Sequence, residues 1–485
     1  MAAGAEAPAA DQAQPASVWT AVAYAVGLAA ASVVAVYVAH IPVQLSDSLG
    51  NLMQIQDVGY RELFGAHVRN HAYVRPMLWV QIKAAFDLAQ GHYWITFKAI
   101  HALQLLATAG LFVRLLRVRS FSDAAIVPLT LMVLFGLHTF SGTVREAFPV
   151  NGFLTIIVVV LAAVNLSVSR PHWTNDVLAV GLFAFGLLTV ESGLLVVVAV
   201  VAAWMAGLRG ISRWGVLACV ALMAGYFYLR FGALGLGLPG LGERGSGYGL
   251  SALDPDELVR RFSANPMVFY AYNVVCSFLT VLFSEPRAGV WLFVRRLVEQ
   301  DEVPSWMVVN LGSSLLATAV VARYGIHAVR RWWAGQSLHG DRVAFVSLGI
   351  LTASAVLSFG YTKNVMMSAG GVFFALLVYE AVVDLSSGFE RMRWAPRVLG
   401  LAVVMALSVS WSVRAAGLPV LLREAAFETR NDWATVYQWL EDQGLGPRIP
   451  RAAPLVEQLR TEALDMPVPN PNIGTPNFYR YFDLD

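Results

Sequence analysis

Ionisable side chains are scarce in this chain, and where they occur they gather. Between positions 41 and 77 stand Asp47, Asp57, Arg61, Glu62, His67, Arg69, His71 and Arg75, directly after an apolar run at 18–40. A carboxylate beside a membrane surface can take a proton from a hydroxyl nucleophile or ligate a divalent cation through oxygen. Asp47 and Asp57 are candidates for either task. Both also suit helix capping, since Ser46, Asp47 and Ser48 are N-cap residue types. In "HVRNH" the pair His67 and His71 is spaced i, i+4, one face of a helix. That spacing suits zinc, but no third ligand stands near, and a polar interfacial helix is the simpler reading. Arg75 precedes Pro76. Proline favours the first position of a helix, which leaves the guanidinium at the helix mouth, either binding phosphate or solvated.

Further ionisable residues stand in or beside other apolar runs: Lys98 and His101, Glu146, Glu191, Arg230 and Lys363. Intramembrane charges are costly and are functional candidates by default. Lys98 lies close enough to a span end to snorkel. A phosphate leaving group in low dielectric needs cations to neutralise it.

The rest of the chain has to hold these residues at a membrane. Of 485 residues, 57% are hydrophobic and 14% charged, with mean hydropathy +0.59; soluble domains carry roughly 25% charged residues. Apolar runs at 18–40, 94–116, 124–140, 150–168, 176–190, 193–208, 214–229, 306–322, 343–361, 367–383 and 398–413 predict an all-α polytopic membrane protein with about eleven spans, in a range of 11–13. Residues 1–17 read as a disordered cytoplasmic N-terminus. The run at 18–40 has no basic stretch before it and no small-residue cleavage site after it, so it reads as a retained span. The loops carrying Arg114, Arg117 and Arg119, then Arg209 and Arg213, then Arg323, Arg330 and Arg331, then Arg391, Arg393 and Arg397 read as cytoplasmic. With the N-terminus inside, the first loop (41–93, with amphipathic helices), the loop at 230–305 and the tail at 415–485 lie outside, next to a transmembrane domain at 18–414. The run at 265–283 is apolar enough to cross, but one crossing there would invert everything after it, so an interfacial or re-entrant segment is expected.

A net charge of +2 gives no nucleic-acid signature, and Cys219 and Cys276 suggest no disulfide framework. The Gly-rich stretch "GLGLPGLGERGSGYG" lacks the Lys-Ser/Thr of a P-loop and reads as a flexible outer loop able to close over substrate. The tail "PVPNPNIGTPNFYRYFDLD" reads as an extended or docking segment. Polar residues collect at one membrane face, which suits an enzyme at the outer interface better than a transporter with a mid-membrane site.

Taken together, several stretches resemble the GT-C superfamily of membrane glycosyltransferases. They are most similar to the protein O-mannosyltransferases and the tetratricopeptide-repeat-containing O-mannosyltransferase-like proteins. The stretches are "YVRPMLWVQIKAAFDLAQGHYWITFKAIHALQLLATAGLFVRLL", "HTFSGTVREAFPVNGFLTIIVVVLAAVNL" with Glu146 at an acidic position, "LLTVESGLLVVVAVV" with Glu191, and "YFYLRFGALG" with Arg230. They cover roughly the first half of the chain. A second acidic residue beside Asp47 and a lysine before Glu191 are absent, and no repeat array follows. The resemblance implies transfer of a sugar from a polyprenyl-phosphate donor to a hydroxyl of a protein, glycan or lipid acceptor at the outer face of a bacterial inner membrane. Asp47 would be the base. Arg75, Arg230 and Lys363 would hold the lipid phosphate, and Asp57, Glu146 and Glu191 would serve the substrates. A divalent cation and a metal-independent reaction are equally compatible with these residues. A catalytically inactive subunit of a cell-envelope complex and a transporter or flippase of lipid-linked sugars are the alternatives.

Overall fold

The computed structural model describes residues 18–43, 45, 47–69, 73–145, 149–238, 240–389 and 393–466, with a few helical residues described in backbone only. The expectations for residues 1–17 and for the end of the tail fall outside them. The chain is an all-α polytopic membrane protein. Among the described residues, eight helices are long and apolar enough to cross a membrane.

The helices run between two faces of one bundle. α1 (Val18–Ala39) ends at a group of short helices, α2 (Asp47–Ile55), α3 (Tyr60–Arg69) and α4 (Pro76–Ala89), which mark the first face. α5 (Tyr93–Leu116) returns to the second face. There Thr20 donates to the Val118 carbonyl (2.7 Å) and Arg117 to that of Val168 (3.2 Å). α6 (Phe121–Gly136) starts on a capping box, with Ser120 and Asp123 satisfying each other's backbone N–H groups. It is followed at a 66° bend by α7 (His138–Arg145), so the span expected at 124–140 is broken at Leu137. α8 (Gly152–Val168), capped by Asn151, is short and well buried, and α9 (Trp173–Leu187) is short with one buried face that includes Ala179, Phe183 and Leu187. A 3-10 turn (Glu191–Leu194) leads into α10 (Leu195–Met205). α11 (Arg213–Phe227) starts on Ser212, whose N–H and hydroxyl both donate to Asp176 (2.7 and 2.6 Å), and ends in a π turn (Tyr228–Ala233).

The described residues of the region expected to be one large loop form regular elements. It holds a hairpin, β1 (Ser246–Tyr248) and β2 (Ser251–Leu253), then α12 (Pro255–Phe262), α13 (Pro266–Phe283) and α14 (Leu292–Glu299). α13 is one unbroken helix, yet both its flanks lie on the first face: the Gly247 N–H before it donates to the Ala288 carbonyl after it (3.0 Å). Its far end reaches only the middle of α15 (Ser305–Trp333), where Ser284 meets Ser314 (2.7 Å) and Thr318 donates to the Leu282 carbonyl (2.5 Å).

α16 (His339–Leu357) and α17 (Ser368–Ser387) follow, bonded at the second face through Arg331, which pairs with Asp341 (2.6 Å) and Asp384 (2.8 Å). α18 (Trp394–Glu428) does not stop at 413 as expected, because Leu418, Leu422 and Ala426 continue its buried stripe. Between the two faces run α1, α5, α6 with α7, α11, α15, α16, α17 and α18, together with the shorter apolar helices α8, α9 and α10.

The end of the described chain folds back onto the first face. α19 (Val436–Asp442) and α20 (Ile449–Asp465) share a second core with the first-loop helices, built on Leu49, Leu52, Ile82, Val436, Leu440 and Leu455. Trp433 lies at its centre, fully buried, and donates to the Val43 carbonyl (2.6 Å).

Two outcomes follow. In sealed membranes, cysteines placed at Asp57 and at Arg451 should react with an impermeant thiol reagent from one side, and one placed at His172 from the other; labelling of 57 and 451 from opposite sides would refute this arrangement. Trp433→Ala should loosen the docked C-terminal helices by about 3–5 kcal/mol, read as faster proteolysis after residue 428; unchanged protection would contradict the docking.

Candidate functional site

A cavity of about 770 Å³ opens among the first-face ends of the helices. The local sequence explains its polar wall. Pro76 starts α4 and holds the preceding backbone out of the helix. The Met77 N–H then donates to the Leu188 carbonyl (2.9 Å) and the Gln81 amide to Thr189 (2.9 Å), which fixes the mouth of α4 to the end of α9. Arg75 therefore faces Glu191 two residues beyond Thr189. The Glu191 turn is itself set by a close crossing: a Cβ on Gly193 would collide with the backbone of Gly186, so only glycine fits there.

Glu191 joins two guanidinium groups. Arg75 donates through Nε (2.8 Å) and Nη2 (2.5 Å) to Oε2, and Arg230 donates through Nη1 to Oε1 (3.3 Å). Arg230, 6% exposed, also donates to the Tyr226 hydroxyl (3.2 Å), one turn earlier on the same helix. It is carried by the π turn, a widening of the helix that often marks functional sites. The Tyr73 ring lies under both cations, 4.3 Å from Arg75 and 6.0 Å from Arg230. Burial raises the Tyr73 phenol above its ordinary pKa, with the Glu243 carboxylate adding to the effect and Arg75 and Arg244 opposing it.

Of the other expected site residues, Lys363 lines the cavity. Asp47 is the first residue of α2, and its side chain is outside the described set; Ser48 and Asn51 of the same helix line the cavity. Glu146 also lies outside the described residues, although Val144 and Val150 on either side of it line the wall. Asp57 is not brought to the cavity. It is exposed and pairs with Arg451 of the docked C-terminal region (2.6 Å). Lys98 does not snorkel to solvent: its ammonium donates to the Val38 (2.8 Å) and Ile41 (2.7 Å) carbonyls and caps the end of α1. His67 stacks on Trp79 at 3.9 Å. Among the described residues, no three His, Cys, Asp or Glu side chains converge as a metal site.

Tyr73, Tyr226, Arg244 and Tyr361 also line the cavity and were not singled out from the sequence. Tyr226 precedes Arg230 by four residues, a spacing that puts both on one helix face. Arg244 stands in the Gly-rich loop and offered no such signal. Five cations line the cavity (Arg75, Lys98, Arg230, Arg244 and Lys363), against one described carboxylate, Glu191. Much of the remaining lining is apolar, including Phe227, Phe231, Val356 and Leu357, with the Phe231 ring 5.6 Å from the Arg230 guanidinium. The arrangement can hold an anionic head against cations while an apolar tail lies against these apolar side chains.

The bridge predicts coupling. Single replacements Arg75→Ala and Glu191→Ala should be non-additive by about 1 kcal/mol in thermal-stability cycles; strict additivity would show that the contact contributes nothing. The chain matches no protein-family model, no curated protein and no solved structure.

Proposed function

We propose that this protein is a membrane glycosyltransferase of the GT-C type, transferring a sugar from a polyprenyl-phosphate-linked donor to an acceptor hydroxyl at the outer face of a bacterial inner membrane. The observation that carries the reading is the amphiphilic cavity: Arg75 and Arg230 beside Phe227, Phe231 and Leu357 at one end of the helix bundle. A lipid phosphate has the same division between a charged head and an apolar tail. On this reading the helices that run between the two faces cross the bilayer, the N-terminus is cytoplasmic and the C-terminal helices are outside. Arg117, Arg119, Arg209, Arg213, Arg330 and Arg331 then fall on the cytoplasmic side, as short basic loops do.

In the reaction, the acceptor oxygen attacks the anomeric carbon and the bond from that carbon to the phosphate oxygen breaks, with inversion. The electron pair leaves on the lipid phosphate, which Arg75 and Arg230 neutralise. The acceptor proton passes to Asp47, the general base. Glu191 is unsuited to that task because both its oxygens are engaged by guanidinium groups; it holds the two cations apart and in place. The acceptor is a protein, glycan or lipid hydroxyl presented from the outer side, and nucleic acid has no place in the scheme. The engagement of Glu191 also favours a second reading, an inactive membrane subunit that binds lipid phosphate without turning it over.

Purified protein and the Asp47→Asn variant, incubated with a panel of polyprenyl-phosphate sugars, separate these readings. The wild type should turn over one donor, and the variant should be slower by roughly 10²–10⁴-fold. Equal rates would remove Asp47 as base. No turnover of any donor by the wild type would favour the inactive subunit.

A further inference from the structure

The cations of the cavity fall into two groups. Arg75 and Arg230 share Glu191. Arg244 and Lys363 have no carboxylate partner among the described residues: Arg244 donates to the Tyr361 hydroxyl (3.4 Å) with its guanidinium 5.0 Å from that ring, and Lys363 stands exposed at the cavity wall. The nearby Glu243 is already occupied, accepting from the Tyr73 hydroxyl (3.3 Å) and from the Gly240 N–H (2.9 Å).

A single buried anchor sets this second pair. Two residues after Arg244, the Ser246 hydroxyl bonds to the Thr362 hydroxyl (3.1 Å) and accepts the Thr362 N–H (3.3 Å); Thr362 immediately precedes Lys363. Ser246 and Thr362 are each 7% exposed. The hairpin and the loop before α17 are thereby pinned together, and each presents a cation to the same cavity. Tyr73 links the groups, since its ring lies under Arg75 and Arg230 while its hydroxyl reaches the loop that carries Arg244.

We propose that Arg244 and Lys363 form a second anion subsite, which takes a second phosphate-like group alongside the one at Arg75 and Arg230. This rests on the phosphate-binding reading above and extends it. Among the described residues no carboxylate is bonded to either cation of the second pair, so their remaining donors are left for an anion from outside, which also offsets the repulsion between like charges. Two ligands meet the requirement: the second phosphate of a lipid diphosphate, or a separate anionic group on the acceptor.

Binding of farnesyl phosphate and farnesyl diphosphate to the full-length protein in nanodiscs tests the proposal and separates the sources. If the second group belongs to the lipid, the wild type should bind the diphosphate roughly ten-fold tighter than the monophosphate. The double variant Arg244→Gln/Lys363→Gln should erase that preference, while the remaining monophosphate binding stays sensitive to Arg75→Gln. If the second group belongs to the acceptor, inorganic phosphate should bind saturably in the presence of saturating farnesyl phosphate, and the same double variant should abolish it. Arg261→Gln, on α12 outside the cavity, controls for general surface charge. A diphosphate preference that survives the double variant, or the absence of both the preference and the co-bound phosphate in a well-folded wild type, overturns the second subsite. Failure of either lipid to bind in a manner sensitive to Arg75→Gln would instead remove the phosphate-binding reading itself.

Discussion

The structure depends on one carboxylate placed between two arginines. At a membrane interface, opposite charges attract several-fold more strongly than in bulk water, and an unpaired charge is correspondingly costly. Glu191 lets Arg75 and Arg230 occupy the wall of a largely apolar bundle end, with a net charge of one left on the trio. The three residues come from the first loop, the turn between α9 and α10, and the end of α11, so the bridge also fastens elements far apart in sequence. The bonds from Met77 and Gln81 to the end of α9, and the glycine crossing at Gly193, serve that placement.

The same face is closed from the other side by the C-terminal helices. Their packing on α2 and α4 makes the first loop part of a second hydrophobic core rather than a loose connection. Asp57 is used in this docking, through Arg451, and not in the cavity. α13 enters and leaves on the first face, which reconciles an apolar 18-residue helix with the side on which the C-terminal region docks. Buried Arg414, bonded to Ser284, Ser313 and Ser314, fastens the inner end of that segment to α15 and α18.

The all-α membrane character and most helix positions were legible in the sequence because hydropathy over some twenty residues is a one-dimensional signal. The break at Leu137 and the continuation of α18 to Glu428 were not, because both are decided by what packs against those residues. Arg75, Glu191, Arg230 and Lys363 were legible as charges out of place in apolar surroundings. Their pairing was not, since nothing local links positions 75, 191 and 230. Lys98 illustrates the same limit: its rarity was visible, but the carbonyls it caps belong to another helix. Arg244 escaped because a charged residue in a Gly-rich loop resembles any solvated one until the Ser246 to Thr362 anchor places it.

We propose that the bridge between Arg75, Glu191 and Arg230 forms the head-group end of a lipid-phosphate site. A structure of the protein in nanodiscs with bound polyprenyl phosphate tests it most directly. The phosphate should lie within hydrogen-bond distance of Arg75 and Arg230, with the first isoprene units against Phe227, Phe231 and Leu357. A phosphate bound away from both arginines, or a cavity left empty at saturating lipid, would contradict it.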